Sequence, residues 1–272
     1  MKIGFNIKTR GKLKYLTIPA FEETGLVNHC FTTRLGGVSE SQYRSLNLGL
    51  FRDDNRAKVL ENYRRICEAI EVNYKDLVLS DQVHGDRIRV VIQEDKGKGI
   101  TKKSDIIKVD GLVTNEPKVP LITFYADCVP LFFLDPIKKV IGISHAGWRG
   151  TVKKIGVKTL LTMEKVFGCD ASECLVGIGP SIGQCCYEVD EPVIDEFRKS
   201  FQCWSGFVKY KGEGKWDLDL WKANVYQLKE VGVKDDNITL SGLCTSCRND
   251  LFYSYRKDKG KTGSLAAIIE LR

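Results

Sequence analysis

The sequence predicts an α/β or α+β chain built on a mixed sheet, and three observations carry that prediction. Short apolar runs of strand length are interleaved with longer segments that repeat apolar residues at helical spacing. The middle of the chain, residues 109–144, is dense in strand-like runs separated by turn residues. No linker divides the chain, so its 272 residues read as one domain, 1–272, long enough to bury a large core unaided.

The elements follow in order. Strands are predicted over residues 13–18 and 27–33, with Gly36-Gly37 as a turn. Asp53-Asp54 can cap the first helix, and Val59, Leu60, Tyr63, Ile66, Cys67 and Ile70 fall on one face of it. Residues 78–79 begin an extended segment that runs into Asp81-Gln82-Val83-His84-Gly85-Asp86, and 88–92 are strand-like. A loop rich in glycine and lysine spans 95–103. Strands are then predicted over 109–114, 119–125, 131–134 and 140–144, with Asp135-Pro136 as a turn. One continuous helix is predicted after His145 as far as about Phe167, with Val152, Ile155, Leu160, Met163 and Phe167 inward. A strand over 174–178, helices over 191–201 and 218–231, and strands over 238–243 and 265–271 complete the chain.

Composition narrows the function. Lys and Arg number 42 against 35 acids, a net charge of +7 that suits small anionic substrates. The lysines are scattered in short groups without a basic block, which argues against a specific nucleic-acid partner. No signal-peptide pattern and no apolar run of membrane-spanning length occur, so an unprocessed cytoplasmic protein is expected. The 10 cysteines then read as reduced thiols or metal ligands. Nothing in the sequence sets the oligomeric state.

Three polar residues stand beside turns next to apolar runs: His84, Cys128 and His145. Two imidazoles and a thiolate suit a borderline-soft ion, and three protein ligands leave the fourth position open, as in catalytic zinc sites. His145 opens the segment His-Ala-Gly-Trp-Arg-Gly-Thr151, where a strand runs through glycines into a helix. Such a helix start attracts anions, and Arg149 adds a fork suited to phosphate. Asp127, beside Cys128 between two apolar runs, must be paired or put to work, and it suits either supporting Cys128 as a metal ligand or handling protons. Arg34, Asn47 and Arg256 lie in polar interruptions of hydrophobic stretches and are further substrate-binding candidates. His29, the third of 3 histidines, is expected to be structural, as is Cys67. Cys244-Thr-Ser-Cys247 has zinc-ligand spacing, and Cys185-Cys186 offers two more thiols, but one such pair with adjacent cysteines reads more simply as ordinary thiols.

Six segments occur in an order that resembles the laccase-domain, or YfiH-like, proteins, also called polyphenol oxidoreductases. They are Val109-Asp-Gly-Leu-Val-Thr114, Ala126-Asp-Cys-Val-Pro130, the His145–Thr151 segment, Gly179-Pro-Ser-Ile-Gly183, Cys186-Tyr-Glu-Val189 and Phe252-Tyr-Ser-Tyr-Arg256. The resemblance implies a single α/β domain with mixed β-sheets sandwiched between helices. It also implies zinc-dependent phosphorolysis of adenosine, inosine, guanosine and methylthioadenosine, deamination of adenosine, and metal ligation by His84, Cys128 and His145. The chain departs from the family at Gly263-Ser264, where Gly-Arg is frequent, which puts an anion contact from that position in doubt.

Two other chemistries use the same residues. A multicopper oxidase needs many imidazoles, and 3 histidines do not supply them; a single copper usually adds a weak axial Met, and neither Met1 nor Met163 adjoins a proposed ligand. Copper is therefore the less favoured ion. A metal-free Cys-His hydrolase would use Cys128 as nucleophile and His145 as base, leaving His84 without a role.

Overall fold

The computed structural model describes residues 1–50 and 52–272. The N-terminal part contains strands β1 (Lys2–Ile3), β2 (Asn6–Arg10) and β3 (Leu13–Thr17), helix α1 (Pro19–Thr24), β4 (Val27–Thr32) and helix α2 (Arg56–Ala69). The centre supplies β5 (Val78–Leu79), β6 (Ile88–Val90), β7 (Gly111–Thr114), β8 (Leu121–Tyr125), β9 (Val129–Asp135) and β10 (Val140–Ala146). There follow α3 (Trp148–Val152), α4 (Ile155–Phe167), β11 (Leu175–Ile178), β12 (Glu188–Asp190), α5 (Glu191–Ser200), β13 (Val208–Gly212) and β14 (Lys215–Leu218). Helix α6 (Leu220–Glu230), β15 (Ile238–Leu240) and β16 (Leu265–Leu271) end the chain.

Among the described residues these strands form a seven-stranded sheet in the order β1-β15-β11-β9-β10-β7-β6 and a six-stranded sheet in the order β2-β3-β4-β16-β8-β5. Both mix parallel and antiparallel pairs. A small third sheet, β12-β14-β13, is antiparallel.

Alternation along the strands builds the layers. Phe132 and Leu134 of β9, Ile141 and Ile143 of β10, and Ala267 and Ile269 of β16 fill the core between the two large sheets. The opposite residues of β9, Leu131 and Phe133, face α4 and α6, while Ala266 and Ile268 of β16 face α2. Both faces of each central strand are thus apolar, which is why every residue of β9, β10 and β16 is buried. The predicted single α/β domain of mixed sheets between helices is the fold observed. No helix among the described residues is long and apolar enough to cross a membrane.

The structure corrects several local expectations. The cap of α2 is Asn55, whose side chain accepts from the amides of Ala57 and Lys58 at 2.9 and 3.3 Å. Asp54 is turned away instead, accepting from the Asn47 side chain at 2.8 Å. The helix predicted to run unbroken to Phe167 is divided into α3 and α4 at Lys154, which takes a left-handed backbone with φ 59°. Side chains of α6 meet the end of α3: Gln227 donates to the Thr151 carbonyl at 2.7 Å, and Asn224 to its hydroxyl at 3.1 Å. The expected helix over 218–231 begins later, because Leu218 ends β14 and Asp219 caps α6 through the Lys222 amide. The strand predicted over 238–243 ends at Leu240.

Candidate metal centre

Three of the passages that the chain makes between the two large sheets contribute to one cavity of about 790 Å³. Residues 80–87 join β5 to β6 and carry His84; residues 126–128 join β8 to β9 and carry Asp127 and Cys128. Residues 241–264 join β15 to β16 and bring Tyr255, Arg256 and Ser264 to the wall. His145 lies near the end of β10, opposite Pro130 in the β9 ladder, so antiparallel register sets it beside Cys128.

The side chains of His84, Cys128 and His145 converge, their ligand atoms all within 4.8 Å of one another. The two imidazoles meet edge to face with ring centroids 4.8 Å apart. His84 (φ 57°) and Asp127 (φ 90°) both hold left-handed backbones, a sterically costly conformation that aims the passages at the site.

Asp110, just before β7, organises the group. Its carboxylate accepts from the amides of Val83, His84 and Gly85 at 3.1, 3.0 and 2.8 Å, which folds the His84 turn. It also accepts from His145 Nδ1 at 2.9 Å, fixing the tautomer that leaves Nε2 free to coordinate. Gly147 completes the enclosure: a Cβ there would lie 2.8 Å from Cys128 Sγ and 3.2 Å from His84 Cδ2.

The electrostatics suit a thiolate. Burial alone would raise the Cys128 thiol, but the charge and hydrogen bond of His145, with a hydrogen bond from His84, bring it down to about 6. Burial likewise disfavours the charged form of His145, and Cys128 and Asp110 outweigh it, lifting the imidazole to about 9. Burial raises the Asp127 carboxyl, opposed by a hydrogen bond from Thr245 Oγ1 (2.6 Å) and one from the Arg256 amide (2.7 Å). Asp110 is lowered: burial acts upward, and the hydrogen bond from His145 and the amides overcome it.

The other predicted residues divide. Arg256 lines the cavity, its guanidinium donating to the carbonyls of Cys186 (3.4 Å) and Glu188 (2.9 Å). Asn47 is fully buried behind the wall, where its carbonyl accepts from the amides of Gly49 and Ser264 at 3.0 and 2.8 Å. Arg34 and Arg149 are not among the residues lining the cavity. Arg34 binds the carbonyls of Arg44 and Asn249 and stacks on Tyr253, and Arg149 lies over the ring of Trp148, which does line it. His29 is structural as expected, its Nε2 accepting from the Ile18 amide at 2.8 Å.

Sequence reasoning gave no role to Asp110, although the segment containing it stood out, nor to Arg52. Arg52 lines the cavity and donates to Ser264 Oγ at 3.3 Å. A cation therefore stands beside Ser264.

Two imidazoles and a low-lying thiol around one point, with a carboxylate orienting one imidazole, fit a borderline-soft divalent ion. Residues 28–272 match the family described as multi-copper polyphenol oxidoreductase laccase. The chain is 39% identical over 243 residues to "Purine nucleoside phosphorylase YlmD" of Bacillus subtilis, covering 89% of this chain and 87% of that one. It is 33% identical over 264 residues to a "Purine nucleoside phosphorylase" of Bacteroides thetaiotaomicron, covering 96% and 97%. The solved structure of YlmD from Geobacillus stearothermophilus superposes with a TM-score of 0.91 at 36% identity, covering 98% of both chains. Fold, site and relatives agree, and the chain belongs to this laccase-like, YfiH-type family.

Proposed function

We propose that this chain is a zinc-dependent purine nucleoside phosphorylase, acting on adenosine, inosine, guanosine and methylthioadenosine, with adenosine deaminase activity at the same site. The observation that carries this reading is the convergence of His84, Cys128 and His145 in a cavity of the size that encloses small molecules. The relatives at 39% and 33% identity, both named purine nucleoside phosphorylases, support the substrate class. Copper fits the donor set less well, since a copper thiolate site usually adds an axial Met, which no neighbouring residue offers.

Zinc held by His84, Cys128 and His145 would supply Lewis-acid polarisation at its open position. The protein supplies the rest. Trp148, Tyr187 and Tyr255 on the wall offer faces for a purine. Arg52 and Arg256 give the wall two cations for phosphate. Asp127, with its raised carboxyl next to Cys128, holds and returns a proton as the purine leaves or the amine is lost. Arg149 acts on the substrate through Trp148, and Arg34 and Asn47 hold the segments that form the wall.

The depressed Cys128 thiol beside His145 also favours a second reading, a metal-free Cys-His hydrolase. Product chromatography of inosine or adenosine with phosphate, before and after chelation, separates the two. The proposal expects free base and ribose 1-phosphate, lost on chelation and restored by zinc. Cys128→Ala that retained the parent's full zinc content together with phosphorolysis would refute it.

A further inference from the structure

A second cluster of thiols lies outside the cavity, made by the four cysteines that the sequence reads more simply as ordinary thiols than as a second metal site. The sulfurs of Cys185, Cys186, Cys244 and Cys247 all lie within 4.8 Å of one another. Cys247 Sγ is 3.5 Å from that of Cys185 and 3.4 Å from that of Cys186. A disulfide requires sulfurs about 2.05 Å apart. Four sulfurs placed about 2.3 Å from one tetrahedral zinc stand roughly 3.8 Å from each other, the spacing approached here.

We propose that Cys185, Cys186, Cys244 and Cys247 bind a second zinc ion as a closed four-thiolate structural site.

The backbone builds the site from two turns. One is the turn Gln184–Cys186; the other is the Cys244-Thr-Ser-Cys247 turn, which has the ligand spacing of zinc-binding loops. The turns are already tied together. The Gly183 amide donates to Cys244 Sγ at 3.2 Å, and the Thr245 amide donates to the Ser181 carbonyl at 3.0 Å. A Cβ at Gly183 would lie 3.3 Å from both Cys185 Sγ and Cys244 Cβ, so glycine lets the turns approach. Cys244 is buried while Cys185 and Cys247 are exposed, which gives an ion a route in from solvent.

The chemistry differs from that of the first centre. Four thiolates fill a tetrahedral shell and leave no position for substrate, so this ion would hold structure. What it would hold is the cavity wall. Tyr187 follows Cys186 directly, the Cys186 carbonyl accepts from the Arg256 guanidinium, and Thr245 donates to Asp127.

The test is metal analysis of the full chain purified without chelator, with Cys247→Ser and Cys185→Ser compared with the parent. The proposal expects each variant to lose one zinc per chain while the other zinc remains. Cobalt(II) reconstitution of the parent should give the strong thiolate-to-metal charge-transfer absorption of a four-thiolate site, diminished in both variants. If the variants fail to fold, anomalous diffraction from the parent at the zinc edge replaces them, and a peak among the four sulfurs is expected. Unchanged zinc content in soluble variants, a disulfide mapped between Cys247 and Cys185 or Cys186, or no anomalous peak at the cluster would overturn it.

Discussion

The carboxylate of Asp110 accepts from His145 Nδ1 at 2.9 Å while gathering the three amides of the His84 turn. One buried side chain thus orients two of the three candidate ligands, from positions 26 and 35 residues away. Asp110→Asn keeps one oxygen acceptor and replaces the other with a donor that faces amides. Metal affinity is expected to fall about 10- to 100-fold, as for other partners of metal-binding histidines. Competition against a chromophoric chelator measures it, and an affinity equal to the parent's would remove Asp110 from the centre.

Gly147 makes a steric prediction. An alanine methyl would meet Cys128 Sγ at 2.8 Å, so the thiol must rotate out of its place between the histidines. Gly147→Ala should weaken metal binding at least about tenfold, roughly 1.4 kcal/mol, while circular dichroism shows an unchanged fold. Isothermal titration with zinc distinguishes this from a harmless substitution, which would bind as the parent does.

Arg52 beside Ser264 makes a kinetic one. If it takes the role that an arginine at position 264 would have, Arg52→Ala should raise the KM for phosphate about tenfold, the scale of one charge-assisted hydrogen bond. The KM for the nucleoside should move little. An equal rise in both constants would point to a collapsed wall instead of a lost anion contact.

His29 sets a pH dependence of stability. Burial holds its imidazole down to about 4, against an ordinary 6.5. Between those values the unfolded chain binds the proton and the folded chain does not, so stability is full above about pH 6.5 and declines as pH falls toward 4. The loss for this one group is roughly 3 kcal/mol. His29→Gln retains an acceptor for the Ile18 amide without titrating. Urea unfolding at about pH 7 and about pH 4 should show a smaller decline in the variant, and equal declines would exclude His29 as the cause.

How much of this was legible in the sequence depended on where each interaction closes. Strands β9, β10 and β16 are apolar on both faces because they lie between layers, and they read directly as continuous apolar runs. Strand β13 is largely exposed, carries no such pattern, and went unpredicted with its small sheet. The break at Lys154 coincides with a contact that the local sequence does not show, Gln227 donating to the Thr151 carbonyl from 76 residues away. His84, Cys128 and His145 announced themselves by residue type beside turns. Asp110 did not, since an aspartate before a strand is commonplace until the amides it gathers are known. The Cys185–Cys247 cluster needed two turns brought together by tertiary structure, which spacing alone does not give.

The first centre sits where the chain passes between its two principal sheets, and that position has a thermodynamic consequence. An ion bound there is a ligand of the folded state, so its binding free energy adds to the free energy of unfolding. At a free concentration a hundredfold above the dissociation constant the addition is about 2.7 kcal/mol. The supply of the ion would then govern how many molecules survive proteolysis as well as how many turn over, and scarcity would be read as a shortage of protein.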